Sequence, residues 1–172
     1  MLKWLWLTLF VLVSDQLTKS MASSSLQLFQ PWPLMPNFNF TLMHNPGAAF
    51  SFLSDAGGWQ RWFFSILATA VSVFIFFWMK KLQTHERWHA IGLSLVLGGA
   101  VGNLIDRVRL GYVVDFLDYY YKSDSCLPGF FAVNDICHWP AFNIADAAIF
   151  LGAAILIIAG FRESKKPAKD LL

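Results

Sequence analysis

The chain has 172 residues, of which 56% are hydrophobic, 17% aromatic and only 14% charged, with a formal net charge of +2. Soluble domains carry about a quarter of their residues as charges, so this composition excludes an ordinary water-wetted globule. The basic residues are scattered, which gives no surface for a nucleic-acid partner.

Four apolar stretches lie at roughly 2–21, 59–79, 88–106 and 140–161, each close to the ~20 residues needed to cross a bilayer. The fold class they imply is an α-helical membrane protein, one polytopic domain over 1–172. The first stretch, MLKWLWLTLFVLV, also has the basic and apolar regions of a secretory leader, with Ser20-Met21-Ala22 as a small-residue cleavage site. However, Asp15, Gln16 and Lys19 fall between the apolar run and that site, which is unusual in a leader. Asp15 and Lys19 are also i,i+4 partners on a continuing helix, and a span is the reading.

After the first span, NFNFTLMHN alternates Phe38, Phe40 and Leu42 with polar residues, as a strand does. PGAAFSF follows, its small residues suited to close packing. The second span leads to HERWH, His85 to His89. On a helix, two imidazoles at i and i+4 share a face, and Glu86 would act as general base on a zinc-bound water. Asp106 is 17 positions from His89, roughly 25 Å along a helix. Only Glu163 and Asp170 near the tail could reach the histidines. The motif is read as a polar turn, and no metal is expected.

GGAVGNLIDR closes the third span. Asn103, Asp106 and Arg107 stand at i, i+3 and i+4 on one helix face, and Gly98 and Gly102 let another helix approach closely. Asp106 beside Arg107 also reads as a structural ion pair. Next, YVVDF is a short strand-like run ending on Asp115. PAFNIADAAIF opens the fourth span with Asn143 and Asp146 at i, i+3. Asp146 is placed about 9 Å along the helix from Pro140. If Asp115 and Asp146 meet in a partly dehydrated cleft, they cannot easily both be charged and will share a proton. The ionised member then draws a proton from water while the other donates to a carbonyl oxygen. The same acids would also suit an ion path or a structural cluster, and spacing alone leaves these open. No G-x-S-x-G elbow is present, and neither cysteine has an obvious activating base fixed by sequence.

Lysine and arginine favour the cytoplasmic side. With four spans, Lys3, Lys80, Lys81, Arg87, Arg162, Lys165, Lys166 and Lys169 share one side. Both termini are then cytoplasmic, and most of the acids lie outside.

The ordered blocks SDQLTK, HNPGAAFSF, GGAVGNLIDR, VVDF and FNIADAAI closely resemble those of the lipoprotein signal peptidases, or signal peptidase II. The resemblance runs from Asp15 to about Gly152. It implies four membrane helices with a small extracytoplasmic β-cradle and a short interfacial helix, in the bacterial cell inner membrane, with the site near the periplasmic face. By that resemblance Asp115 and Asp146 match the catalytic aspartates. Asn45, Asn103, Asp106, Arg107 and Asn143 match polar positions around them, and Asp15 a supporting one. Asp118, three residues after Asp115, is a rival that the block match sets aside. The implied substrate is a diacylglyceryl-modified prolipoprotein cleaved just before its lipidated cysteine, amid membrane lipids, with no cofactor and with sensitivity to globomycin. The segment between VVDF and FNIAD is longer than is usual in the family and holds Cys126 and Cys137. A disulfide there would close a loop of about a dozen residues, worth roughly 3 kcal/mol on chain entropy, in an oxidising compartment. The alternative is two free thiols, with Asp135 and His138 as an adventitious metal site.

Overall fold

A computed structural model describes residues 1–47, 57–133 and 135–164. Its axis is α3 (Arg87–Arg109), the helix richest in glycine and the most buried. Gly98 and Gly102 face α1 (Leu5–Ser25): a Cβ on Gly98 would come within 2.8 Å of Val11 Cβ, and one on Gly102 within 2.6 Å of an Asp15 oxygen. The close approach expected at this glycine pair is therefore that of α1. Gly92 and Gly99 face α4 (Ile144–Ser164), where a Cβ on Gly99 would fall on the Ala145 carbonyl. α2 (Trp59–Lys81) closes the third side, with Ile75 and Met79 packed among Leu93 and Leu97. Lipid tails give helices no hydrophobic reason to associate, so backbone proximity of this kind supplies the van der Waals contact instead.

The outward faces carry apolar side chains: Phe10, Leu17 and Met21 on α1, Ile66 and Phe74 on α2, Phe150 and Phe161 on α4 are all well exposed. An apolar belt this large on a single chain belongs in lipid. Residues 59–81, 87–109 and 144–162 form helices long and apolar enough to cross a membrane. The outer half of α1 is more polar, because it carries Ser14, Asp15, Gln16, Thr18 and Lys19. α1 continues a turn beyond the expected 2–21, and Asp15 and Lys19 are buried against its neighbours. Among the described residues the only other helical piece is the 3-10 turn Leu2–Trp4, so the expected interfacial helix is not among them. Residues 48–52 of the PGAAFSF block and the tail beyond 164 lie outside the described residues.

At one end of the bundle the connections form an antiparallel five-stranded sheet, with order β1-β2-β3-β5-β4. The strands are β1 (Pro31–Met35), β2 (Phe38–Asn45), β3 (Val113–Lys122), β4 (Phe131–Val133) and β5 (Ile136–His138). Pro31 and Pro33 have no N–H to offer, which suits β1 to the edge. β2 is the strand expected, and its burial does not follow the apolar set. Asn39 and Thr41 are buried with Leu42, whereas Phe38 and Phe40 are half-buried, because the polar pair satisfies a buried carboxylate, Asp118. β3 runs ten residues, well past Asp115, carried on by three successive tyrosines that favour a strand.

One further expectation is corrected. The fourth helix starts at Ile144 rather than Pro140, because Phe142 is still hydrogen-bonded to Leu117 of β3. HERWH is the polar turn expected: His85 and Glu86 lie ahead of the first turn of α3, and His89 is within it, so the two imidazoles do not share a helical face. Glu86 instead accepts the Gln83 N–H.

Gly99→Ala tests the α3–α4 seam. Its methyl group meets a backbone carbonyl, which cannot swing aside, so a loss of about 1–3 kcal/mol from overpacking is expected. Thermal unfolding in detergent, against the lipid-facing control Phe150→Leu, measures it.

Candidate active site

The functional groups meet where α4 begins. Asn143 is the N-cap: its carbonyl accepts the Ala147 N–H at 3.1 Å and its Oδ1 accepts the Asp146 N–H at 2.9 Å. Asp146 Oδ2 accepts the Asn143 N–H at 3.2 Å in return. This reciprocal pair is a capping box. The i,i+3 spacing is thus a cap and its third residue, not a shared helix face, and Asp146 sits in the first turn.

The Asn143 amide also reaches the strand, donating to Asp115 Oδ1 at 2.7 Å. One residue therefore orients both aspartates. Asp115 Oδ2 accepts from Asn45 Nδ2 at 3.1 Å, and Asn45 is held by the Gly47 N–H on its own oxygen at 3.0 Å. Asp146 Oδ1 accepts from Asn103 Nδ2 at 2.8 Å. Burial pushes the Asp115 carboxyl up to about 8, and the neighbouring Asp146 charge pushes the same way, against the hydrogen bonds from Asn45 and Asn143.

Behind the aspartates lies a buried cation. The Lys19 ammonium is 2.8 Å from Asp15 Oδ2, 2.8 Å from Asp106 Oδ2 and 2.8 Å from Asn103 Oδ1. All three of its protons have acceptors. By occupying Asn103 Oδ1 it turns the amide nitrogen of Asn103 toward Asp146. Asp15 spends its other oxygen on the Ala145 N–H at 2.9 Å, a carboxylate at the positive end of α4. Asp106 Oδ1 takes the Gln16 amide at 2.9 Å, and its Oδ2 the Val114 N–H at 3.2 Å. The cation expected beside Asp106 was Arg107; the one found is Lys19. Arg107 instead donates to the Gly47 carbonyl at 2.8 Å and lies over the Phe64 ring.

Asp118, the rival carboxylate, is engaged elsewhere, with Thr41 and His138 each at 2.8 Å. Cys126 and Cys137 have their sulfurs 2.03 Å apart. His44 stacks on Tyr112 with ring centroids 3.9 Å apart.

A cleft of about 630 Å³ opens on Asp146, whereas Asp115 is not in its lining. Asn45, Asn103, Arg107 and Asp146 form its polar end, while Trp139, Phe142, Ile149 and Phe150 continue it as an apolar wall along α4. Such a space admits a molecule that is polar at one point and greasy beyond it.

Comparison with known proteins gives this arrangement its context. The family model described as signal peptidase (SPase) II matches residues 7–162. A lipoprotein signal peptidase of Teredinibacter turnerae is 53% identical over 156 residues, 91% of this chain and 85% of that protein. One of Acinetobacter baumannii is 47% identical over 167 residues, covering 97% and 88%. A bacterial membrane enzyme solved by the in meso method at 2.3 Å superposes with a TM-score of 0.77 at 28% identity, covering 96% of this chain and 92% of that one. The chain belongs to the signal peptidase II family. It is a multi-pass protein of the bacterial inner membrane.

Two site residues of this signal peptidase were not singled out from the sequence, Lys19 and Gln16. The signal was present, because an ionisable residue in a span is a functional candidate by default. The i,i+4 match of Lys19 to Asp15 drew attention as a helix-stabilising pair only. Nothing in the sequence shows that Asp106 and Asn103 reach the same ammonium from another helix.

Lys19→Met should destabilise the fold by about 3–5 kcal/mol, since it leaves Asp15 and Asp106 buried without a cation; the shift in thermal midpoint at fixed pH reads it. A second expectation concerns Asp115. Its folded value, about 8, lies above its ordinary 3.8, so between those pH values the folded state keeps a proton that the unfolded chain releases. Its contribution to stability is therefore whole below 3.8 and lost as pH rises through about 8. Asp115→Asn, with a side chain that stays neutral, should flatten that part of the stability–pH curve.

Proposed function

We propose that this chain removes the signal peptide of diacylglyceryl-modified prolipoproteins, cutting the bond before the lipidated cysteine, with Asp115 and Asp146 as the catalytic pair. Its aspartyl endopeptidase activity follows from its family. The observation that carries the residue assignment is the double engagement of Asn143, which holds one carboxylate through its amide and the other through its cap.

At neutral pH Asp115 holds the shared proton. Its partner takes a proton from water, whose oxygen bonds to the scissile carbonyl carbon while the Asp115 proton moves to the carbonyl oxygen. When the tetrahedral intermediate collapses, the carbon–nitrogen bond breaks and a proton passes to the departing amine of the cysteine. Asn45 and Arg107 line the cleft as donors that can orient the carbonyl. Each methylene kept in lipid contributes about 0.8 kcal/mol, so the diacylglyceryl group dominates binding along the apolar wall.

The same reading makes α1 a fourth span and the chain one membrane domain, with its β-cradle and a short interfacial helix on the periplasmic side. The ends of α2 and α4 away from the sheet carry Lys80, Lys81 and Arg162, which suits a cytoplasmic position for them and for both termini. A Cys126–Cys137 disulfide suits a sheet in an oxidising compartment.

Asp115→Asn and Asp146→Asn should each abolish cleavage of a lipidated precursor while the protein stays folded, and globomycin should inhibit the wild type. Wild-type turnover should also fall above about pH 8 as Asp115 loses its proton. Full turnover by both variants would sink the assignment.

A further inference from the structure

The chain enters the site from β5 while laced to β3. Tyr120 to Lys122 pair with His138 to Ile136 in antiparallel order. Trp139 N–H then donates to Tyr119 O at 2.8 Å, and Phe142 exchanges bonds of 3.1 and 2.9 Å with Leu117. Between those contacts a single β3 residue, Asp118, opposes two residues, Pro140 and Ala141. This is a β-bulge, the device that re-aims a strand beside a functional site. Trp139 to Phe142 line the cleft together with Asp146, and the next residue is Asn143. Whatever fixes the bulge fixes one wall of the cleft.

The fastening lies opposite it. Asp118 is 1% exposed, an expensive place for a carboxylate unless it is well paired. Its Oδ1 lies 2.8 Å from His138 Nδ1, while Oδ2 accepts the Thr41 hydroxyl at 2.8 Å and faces the Asn39 amide at 3.5 Å. β2 and β3 thus grip, through one carboxylate, the imidazole that stands immediately before the bulge. Cys137, next in the chain, has its sulfur at Cys126, tying the far side of the same segment. Neither Asp118 nor His138 lines the cleft or bonds to Asp115 or Asp146, so the pair can influence the reaction only through the wall.

We propose that Asp118 and His138 are positioning residues for substrate binding, holding the Trp139–Phe142 bulge against the stretch of prolipoprotein beside the scissile bond. This rests on the peptidase reading above. A loosened bulge would widen the cleft without disturbing the groups that move protons. The loss therefore appears in KM, because an interaction common to ground and transition states is what weakens.

The experiment is steady-state cleavage of a diacylglyceryl-modified precursor peptide by the full-length protein in detergent, comparing wild type with His138→Ala, His138→Asn and Thr41→Val. His138→Ala should raise KM about tenfold, the size of one hydrogen bond to a charged group, with kcat changed by less than about twofold. His138→Asn places an amide nitrogen near the Nδ1 position and should restore most of the affinity, which a merely space-filling role would not require. An unchanged KM, a fall in kcat alone, or an Asn variant no better than Ala overturns the proposal. If His138→Ala does not fold, Thr41→Val decides: it removes one bond to Asp118 from the far strand, and a KM equal to wild type overturns the proposal as surely. Failure of the wild type itself to cleave would refute the peptidase reading instead.

Discussion

The fold depends on one buried ammonium. Lys19 joins α1 to α3 through Asp106 and Asn103, and Asp15, its own helix partner, continues the link to the first turn of α4. Two buried carboxylates share this ammonium, which would be costly if solvation were the only consideration. The arrangement is tolerable because every proton of Lys19 and most lone pairs of the two acids are used. Two of those partners are backbone N–H groups that would otherwise be orphans, at Ala145 in the start of α4 and at Val114 in β3. The network therefore satisfies the termini of two elements while fixing where they stand.

On the residue assignment proposed above, that placement in turn decides the chemistry. An aspartyl dyad needs two carboxylates close enough for one to suppress ionisation of the other, yet oriented by donors that do not neutralise them. Here one aspartate comes from a strand and the other from a helix cap. Asn143 bridges them because a capping side chain must face back over the start of its helix, where β3 passes. The amide of Asn103 completes the set, and its direction is dictated by Lys19 on its oxygen. Preorganisation of this kind leaves little to rearrange when charge moves to the substrate.

Much of this was legible in the chain. The helices are apolar runs of spanning length, and GGAVGNLIDR announces both a close helix contact and a polar face. What remained hidden depends on partners distant in sequence. Asn143 and Asp146 at i, i+3 fit a helix face and a capping box equally well, and only the pairing of Phe142 with Leu117 stops the helix short and selects the box. Burial of Asn39 and Thr41 is not legible either, because nothing local reveals that Asp118 lies beneath them 77 to 79 positions away. Arg107 was the obvious cation for Asp106 by adjacency, yet consecutive residues on a helix point about 100° apart. An ammonium on a neighbouring helix was better placed.

The division of labour between helices and sheet follows from the solvent on each side. Within lipid, backbone groups must be satisfied inside the helices, so only side chains can build a site there, and they do so at helix ends, where free N–H groups offer anchorage. Beyond the helix ends strands become possible, and a strand can deliver a carboxylate such as Asp115 without presenting unpaired backbone to hydrocarbon. A site with one aspartate from each regime necessarily sits where the two meet. On the proposed function, that is also where a lipidated peptide presents its scissile bond, with acyl chains in the bilayer and polypeptide outside it. Moving the dyad deeper would deprive it of water, and moving it outward would hydrate Asp115 and cancel the burial that keeps its proton in place. The depth of the site is thus constrained from both sides by the reaction proposed for it.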